Sequence, residues 1–253
     1  PASPGQRPAP PVTMAGKGRV MVFARTRPPI AREDGDREAV HMDVDANRCE
    51  LHFEEGDAID DVLRGKEAKA IEVKKKGYDF DAVFAPESNQ KDVYAVVGKP
   101  VLKDVLLGYN GSILAYGQTG AGKTHSLLNA GADNPTDAGL LPRLVAALFV
   151  TIATDTAHAF EVKAAMFQIY NEQIDDLLVD DRSSQGNNLN IKQGGLVDGL
   201  SWIGVRNPDE CMKLFSKGRA NIIYAETKMN KASSRSHSVF QFKITKRPIA
   251  KAG

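Results

Sequence analysis

Eight consecutive residues constrain this chain more than any others: Gly117-Gln118-Thr119-Gly120-Ala121-Gly122-Lys123-Thr124. They fit the phosphate-binding pattern G-x-x-x-x-G-K-[ST] at every fixed position. Each requirement has a physical reason. Glycines let the backbone wrap around an anion in conformations that a Cβ blocks. The loop N–H groups face inward, and a following helix presents its positive end to the same anion. Lys123 reaches the outer phosphates and the Thr124 hydroxyl ligates Mg²⁺. The flanks match: the apolar residues 111–116 predict a short buried strand, and a helix is predicted directly after the loop. A chain carrying this loop is expected to fold as an α/β layered domain around a nucleotide site.

The rest of the chain supports that architecture. The run Val20-Met21-Val22-Phe23-Ala24 predicts a strand buried on both faces. Residues 31–76 are charge-rich and weakly patterned, and predict hairpins and loops forming a small lobe. Ser88 or Asn89 caps a helix with Val93, Val97, Val101 and Val105 on one face, which Pro100 either kinks or restarts. Residues 140–151 predict a helix. Phe160, Val162, Ala164 and Met166 alternate as a strand, Pro208 opens a helix, and Phe240, Phe242 and Ile244 alternate as a last strand. No internal repeat occurs.

Composition excludes several classes. Hydrophobic residues are 42% and charged residues 26%, enough apolar material for a sizeable core and too much for wholesale disorder. Lys and Arg number 33 against 32 Asp and Glu, so any acidic partner must be held by a local patch. The run Lys74-Lys75-Lys76 reads as a solvated strand end, and no nucleic-acid partner is expected. Cys49 and Cys211 lack metal-ligand spacing and fit a reducing compartment. The most apolar helical stretch, residues 140–153, falls short of the roughly 20 residues of a membrane span. Residues 1–17 hold five of the thirteen prolines and read as a flexible Pro/Ala-rich leader, with Met14 the expected natural start.

A second polar cluster lies before the last strand: Asn230-Lys231-Ala232-Ser233-Ser234-Arg235-Ser236-His237. Hydroxyls, an amide, a guanidinium and an imidazole together make poor core and suit an oxyanion. This cluster, with the phosphate loop followed by His125, resembles the motor domain of kinesins. Three further stretches agree. Arg25-Thr26-Arg27-Pro28 matches the family's R-x-R-P, and Tyr78-Asp79-Phe80-Asp81-Ala82-Val83-Phe84 its F-x-F-D-x-V-F. Phe167-Gln168-Ile169-Tyr170-Asn171-Glu172, running on to Asp176-Leu177-Leu178, matches its E-I-Y-N-E-x-x-x-D-L-L. The resemblance runs in family order from Arg19 to about Thr245.

The resemblance implies a P-loop NTPase fold, with a central mixed and largely parallel sheet flanked by helices. It implies ATP and Mg²⁺ as cofactors and microtubules as partner. Arg25, Pro28 and His125 sit where kinesins flank the adenine and ribose, with Tyr94 nearby. The eight loop residues hold the phosphates, and Thr124 and Ser234 the Mg²⁺. Asn230, Ser233, Ser234 and Arg235 belong to switch I, which closes over the γ-phosphate. The expected activity is that of an ATP-dependent microtubule motor in the cytoplasm and cytoskeleton. Any homodimerisation is expected through regions outside this chain. An unrelated P-loop kinase or GTPase leaves the cluster before the last strand unexplained.

Departures from the family pattern point to the alternative. Switch II, D-L-A-G-S-E in the family, belongs after the last strand, whereas the chain ends at Gly253. Residues 18–253 therefore read as a partial motor domain without switch II and the microtubule-facing helix, and little turnover is expected of them alone. The loop around Lys192-Gln193-Gly194-Gly195 is shorter than the usual basic microtubule loop. Asn221-Ile222 has isoleucine where kinesins place a basic residue. These departures suit a kinesin-derived structural protein that stays on microtubules without cycling, for example in a ciliary or flagellar axoneme.

Overall fold

The computed structural model describes residues 19–33, 35, 38–55, 72–129, 135–179, 189–194, 196–228 and 236–249. The chain divides into two units, residues 1–140 and 141–253.

In chain order the first unit holds β1 (Phe23–Arg25), β2 (Val40–Asp43), β3 (Arg48–Glu55), β4 (Glu72–Asp79) and β5 (Ala82–Phe84). These are followed by the helices α1 (Gln90–Val93), α2 (Lys99–Leu106) and α3 (Lys123–Leu128). The charge-rich stretch forms an antiparallel sheet in the order β2-β3-β4, as the small-lobe reading expects. Its first turn is set locally: Asp43 Oδ1 accepts from the Ala46 N–H at 2.9 Å and Asn47 takes φ 53°. β1 pairs in parallel with β5, whose three residues are buried.

The first strand is shorter and wetter than the sequence predicts. β1 begins at Phe23, and Val20 and Val22 are 81% and 51% exposed. The ladder with β5 is only three residues long, and the Val22 N–H donates to the Asp81 carboxylate at 2.7 Å instead of extending it.

Asn89 is the helix cap. Its side chain accepts from the Asp92 N–H at 3.0 Å, and Asp92 reaches back to the Asn89 N–H, a reciprocal capping box. Val93 and Val97 are buried. Pro100 does mark a restart. Residues Tyr94–Gly98 form one π-helical turn, closed by the Lys99 N–H on the Tyr94 carbonyl, and α2 then begins with proline in its first turn. The proline, which has no N–H to donate, falls where the hydrogen-bond spacing changes from the π-helical turn to α2.

Residues 111–116 are a correction. They hydrogen-bond to no strand among the described residues, and Leu114 and Tyr116 are 87% and 97% exposed. Their apolar character fits a buried strand, but burial has to be supplied by neighbouring strands, and β1 meets only β5.

The second unit contains α4 (Leu140–Thr154, beginning at the unit boundary), β6 (His158–Tyr170), β7 (Gln173–Asp176), β8 (Ile203–Gly204), α5 (Pro208–Lys228) and β9 (His237–Pro248). β6 is its axis, pairing with β9 from His158 to Ile169 on one edge and with β7 and β8 on the other. The β6–β7 connection is a two-residue turn with Asn171 and Glu172 at φ 48° and 63°, the left-handed pair that matches strand twist. Both faces of β6 are covered. Ala165 and Phe167 pack with Ile174 and Leu200, while Met166 meets Gly218 of α5. Its run of apolar residues is therefore nearly continuous.

Candidate nucleotide site

Residues 117–124 form a loop that runs directly into α3. Gly120 and Gly122 take φ 86° and 92°, and Gly122 is the residue from which the helix starts. That region disfavours a Cβ, so the glycines are required by the path of the chain. The Lys123 ammonium folds back over the loop, donating to the carbonyls of Gly117 at 2.6 Å and Gln118 at 2.9 Å. The Ala121 N–H closes a turn on the Gln118 carbonyl at 3.2 Å. Thr124 is exposed at the start of the helix. Arg27 braces the loop from outside: its Nε donates to the Gly120 carbonyl at 2.9 Å, while its Nη atoms hold Glu33 at 2.5 and 2.8 Å. The carboxylate raises the Arg27 pKa, chiefly through those hydrogen bonds.

A second cluster lies beside it. Arg25 at the end of β1 donates through Nη1 to Gln90 Oε1 at 2.8 Å and to Ser126 Oγ at 2.9 Å. Its Nη2 reaches the Ser88 carbonyl at 3.3 Å. Burial lowers the Arg25 pKa from its ordinary value. Gln90 donates through Nε2 to the His125 carbonyl at 2.7 Å and stands 3.2 Å from His125 Nδ1. One strand end, one helix start and the helix after the glycine loop thus meet through these side chains.

Comparison with known proteins decides the family. The family model Kinesin motor domain matches residues 25–253. The chain belongs to the kinesin motor family. It is 34% identical to a kinesin heavy chain of Syncephalastrum racemosum over 235 residues, covering 91% of this chain and 23% of that protein. It is 40% identical to the mouse (Mus musculus) kinesin-like protein KIF11 over 184 residues, covering 67% and 17%. A solved structure described as that of a fast kinesin matches with a TM-score of 0.75 at 31% identity, covering 90% of this chain and 60% of that one. The fold is that of the kinesin P-loop NTPases. The chain spans less than a quarter of the length of those two curated relatives.

Within the kinesin frame, the structure brings together Arg25, His125 and the loop 117–124. Pro28 is exposed, its carbonyl accepting from Arg27 Nη1 at 3.0 Å. Tyr94 lies in the π-helical turn, half-buried against Gly98. Asn230, Ser233, Ser234 and Arg235 lie outside the described residues. Among the described residues no group of three or more His, Cys, Asp or Glu is placed to hold a metal ion, and no helix is long and apolar enough to cross a membrane. Sequence reasoning missed Gln90, Ser126 and the loop brace Arg27. Only Arg27 carried a local signal, as the middle arginine of the R-x-R-P stretch.

Proposed function

We propose that the chain is the nucleotide-binding part of an ATP-dependent microtubule motor of the kinesin type. One observation carries this reading: the Lys123 ammonium lies across the glycine loop on the carbonyls of Gly117 and Gln118. A mobile cation held only by neutral carbonyls is poised to exchange them for phosphate oxygens, a stronger charge-assisted pairing. Left-handed Gly120 and Gly122 keep Cβ atoms off that face. The donor set therefore fits a triphosphate.

In this reading residues 117–124 hold the phosphates, with Thr124 and Ser234 supplying Mg²⁺ ligands. Arg25, Pro28 and His125 flank the nucleoside. Asn230, Ser233, Ser234 and Arg235 act as the switch over the terminal phosphate. Bound MgATP supplies the phosphoanhydride whose hydrolysis changes microtubule affinity. Calorimetric titration of MgATP into the 253-residue chain is the direct test, with Lys123→Ala expected to abolish tight binding. Equal affinity in both overturns the assignment. Turnover at motor rates is proposed only for a chain that includes switch II. Equal microtubule-stimulated ATPase from this chain and from one extended through switch II refutes that limit.

Two observations favour the second reading, a microtubule-bound protein that does not cycle. Lys192, in the loop where kinesins carry free basic charge, is paired with Asp198 at 2.8 Å. Ile222 is half-buried where the family pattern has a cation. Co-sedimentation with microtubules in ATP and in ADP separates the two readings. Binding that ignores the nucleotide supports the static protein.

A further inference from the structure

Gln90 is 3% exposed, and all its side-chain polar atoms are engaged. Oε1 accepts from Arg25 Nη1 at 2.8 Å, and Nε2 faces the carbonyls of His125 at 2.7 Å and Asp137 at 3.3 Å. A guanidinium only donates and a carbonyl only accepts, so the amide fits one way round. Its hydrogens then also face His125 Nδ1, 3.2 Å away. One hydrogen is taken by the His125 carbonyl, and the second lies between the longer Asp137 carbonyl contact and Nδ1. An amide nitrogen donates and does not accept, so the contact with Nδ1 is a hydrogen bond only in the tautomer that carries its proton on Nε2. His125 is exposed, and its Nε2 makes no hydrogen bond to any described residue.

We infer that Gln90 is a positioning residue for the nucleoside side of the site. One buried amide fixes the Arg25 guanidinium and selects the His125 tautomer. His125 thereby offers an Nε2–H donor to a ring nitrogen or ribose oxygen of the ligand. The inference rests on the reading above that Arg25 and His125 flank the nucleoside, and it deepens that reading by giving His125 a fixed hydrogen-bonding sense. The phosphates are held by a different part of the chain, residues 117–124. Losing Gln90 should therefore weaken nucleoside recognition and spare phosphate binding.

The test has two readouts on the 253-residue chain. Nitrogen-15 NMR of the histidine rings, with His125 assigned by His125→Asn, should show the Nε2–H tautomer in the unsubstituted chain. Gln90→Glu replaces the donor with an acceptor of the same shape and should reverse His125 to Nδ1–H. Calorimetry should then show Gln90→Leu raising the Kd for MgATP by about tenfold, the scale of one or two lost hydrogen bonds, with the Kd for magnesium tripolyphosphate unchanged. If Gln90→Leu does not fold, Gln90→Glu serves for both measurements. A wild-type Nδ1–H tautomer, or equal losses for the two ligands, overturns the inference. Binding of neither ligand by the unsubstituted chain refutes the nucleotide reading itself, and the tautomer, read without ligand, still decides what Gln90 does to His125.

Discussion

Lys123 Nζ donates to the Gly117 carbonyl at 2.6 Å, so the first residue of α3 is tied to the residue that begins the glycine loop. The bond spans six residues, and two left-handed glycines make it reachable. The loop is thus shaped before any ligand arrives. Pre-shaping lowers the ordering cost of binding an anion.

Gly122→Ala should destabilise the loop and the start of α3. The nearest atom to an added Cβ is Arg27 Cβ at 3.9 Å, so no clash contributes and the cost is the backbone's alone. At φ 92° that is about 1–2 kcal/mol. A urea titration should show the lower midpoint, with Gly122→Asn closer to the parent because asparagine tolerates this region better. An unchanged midpoint for alanine contradicts the described path of the loop.

Asp176→Ala should cost about 3 kcal/mol. Asp176 is 1% exposed, and its carboxylate accepts from the Leu178 N–H at 2.8 Å and the Ser201 N–H at 2.7 Å. Alanine leaves both donors unmatched in the interior, whereas Asp176→Asn keeps one acceptor and should recover part of the loss. Denaturant unfolding of the three chains checks the order.

Acid should loosen the pairing of β6 with β9. Asp155 has its pKa lowered to about 2, first by the His158 hydrogen bond and then by the Ala157 N–H and Lys246. Lys246 lies on β9 and reaches the carboxylate at 3.4 Å. The unfolded chain binds this proton more readily, near the ordinary value of 3.8. The contribution is therefore present above pH 4 and disappears as pH falls through 2. Thermal melts at pH 5, 3 and 2 should fall more steeply in the parent than in Asp155→Asn. Parallel slopes count against the assignment.

Gly218→Ala should be destabilising although alanine favours a helix by about 1 kcal/mol over glycine. An added Cβ overlaps Met166 Sδ and lies 3.4 Å from Leu178 Cδ2, and both side chains are buried. Overpacking of this kind costs about 1–3 kcal/mol. Met166→Val in the same chain should relieve it, giving a favourable coupling in a double-mutant cycle. Strict additivity of the two substitutions is the result that refutes the contact.

The glycine loop was legible because its demands are local: residues that allow φ near 90°, a lysine long enough to turn back, and a helix to follow. The same holds for the Asn89 cap and the restart at Pro100. Each is set by contacts within a few residues of chain. Period-2 alternation likewise announced β6 and β9, because strand faces alternate whatever the partner.

Tertiary structure alone decided who meets whom. Residues 111–116 have the composition of a buried strand, yet none is buried and Leu114 and Tyr116 are exposed, because burial is conferred by partners and is not a property of the segment. Gln90 reads in sequence as an ordinary first-turn residue. It becomes a hub only because Arg25, 65 residues earlier, and His125, 35 residues later, arrive on opposite sides of its amide. Local stereochemistry is written in the order of the residues, but a hydrogen bond across such distances depends on how the chain closes on itself.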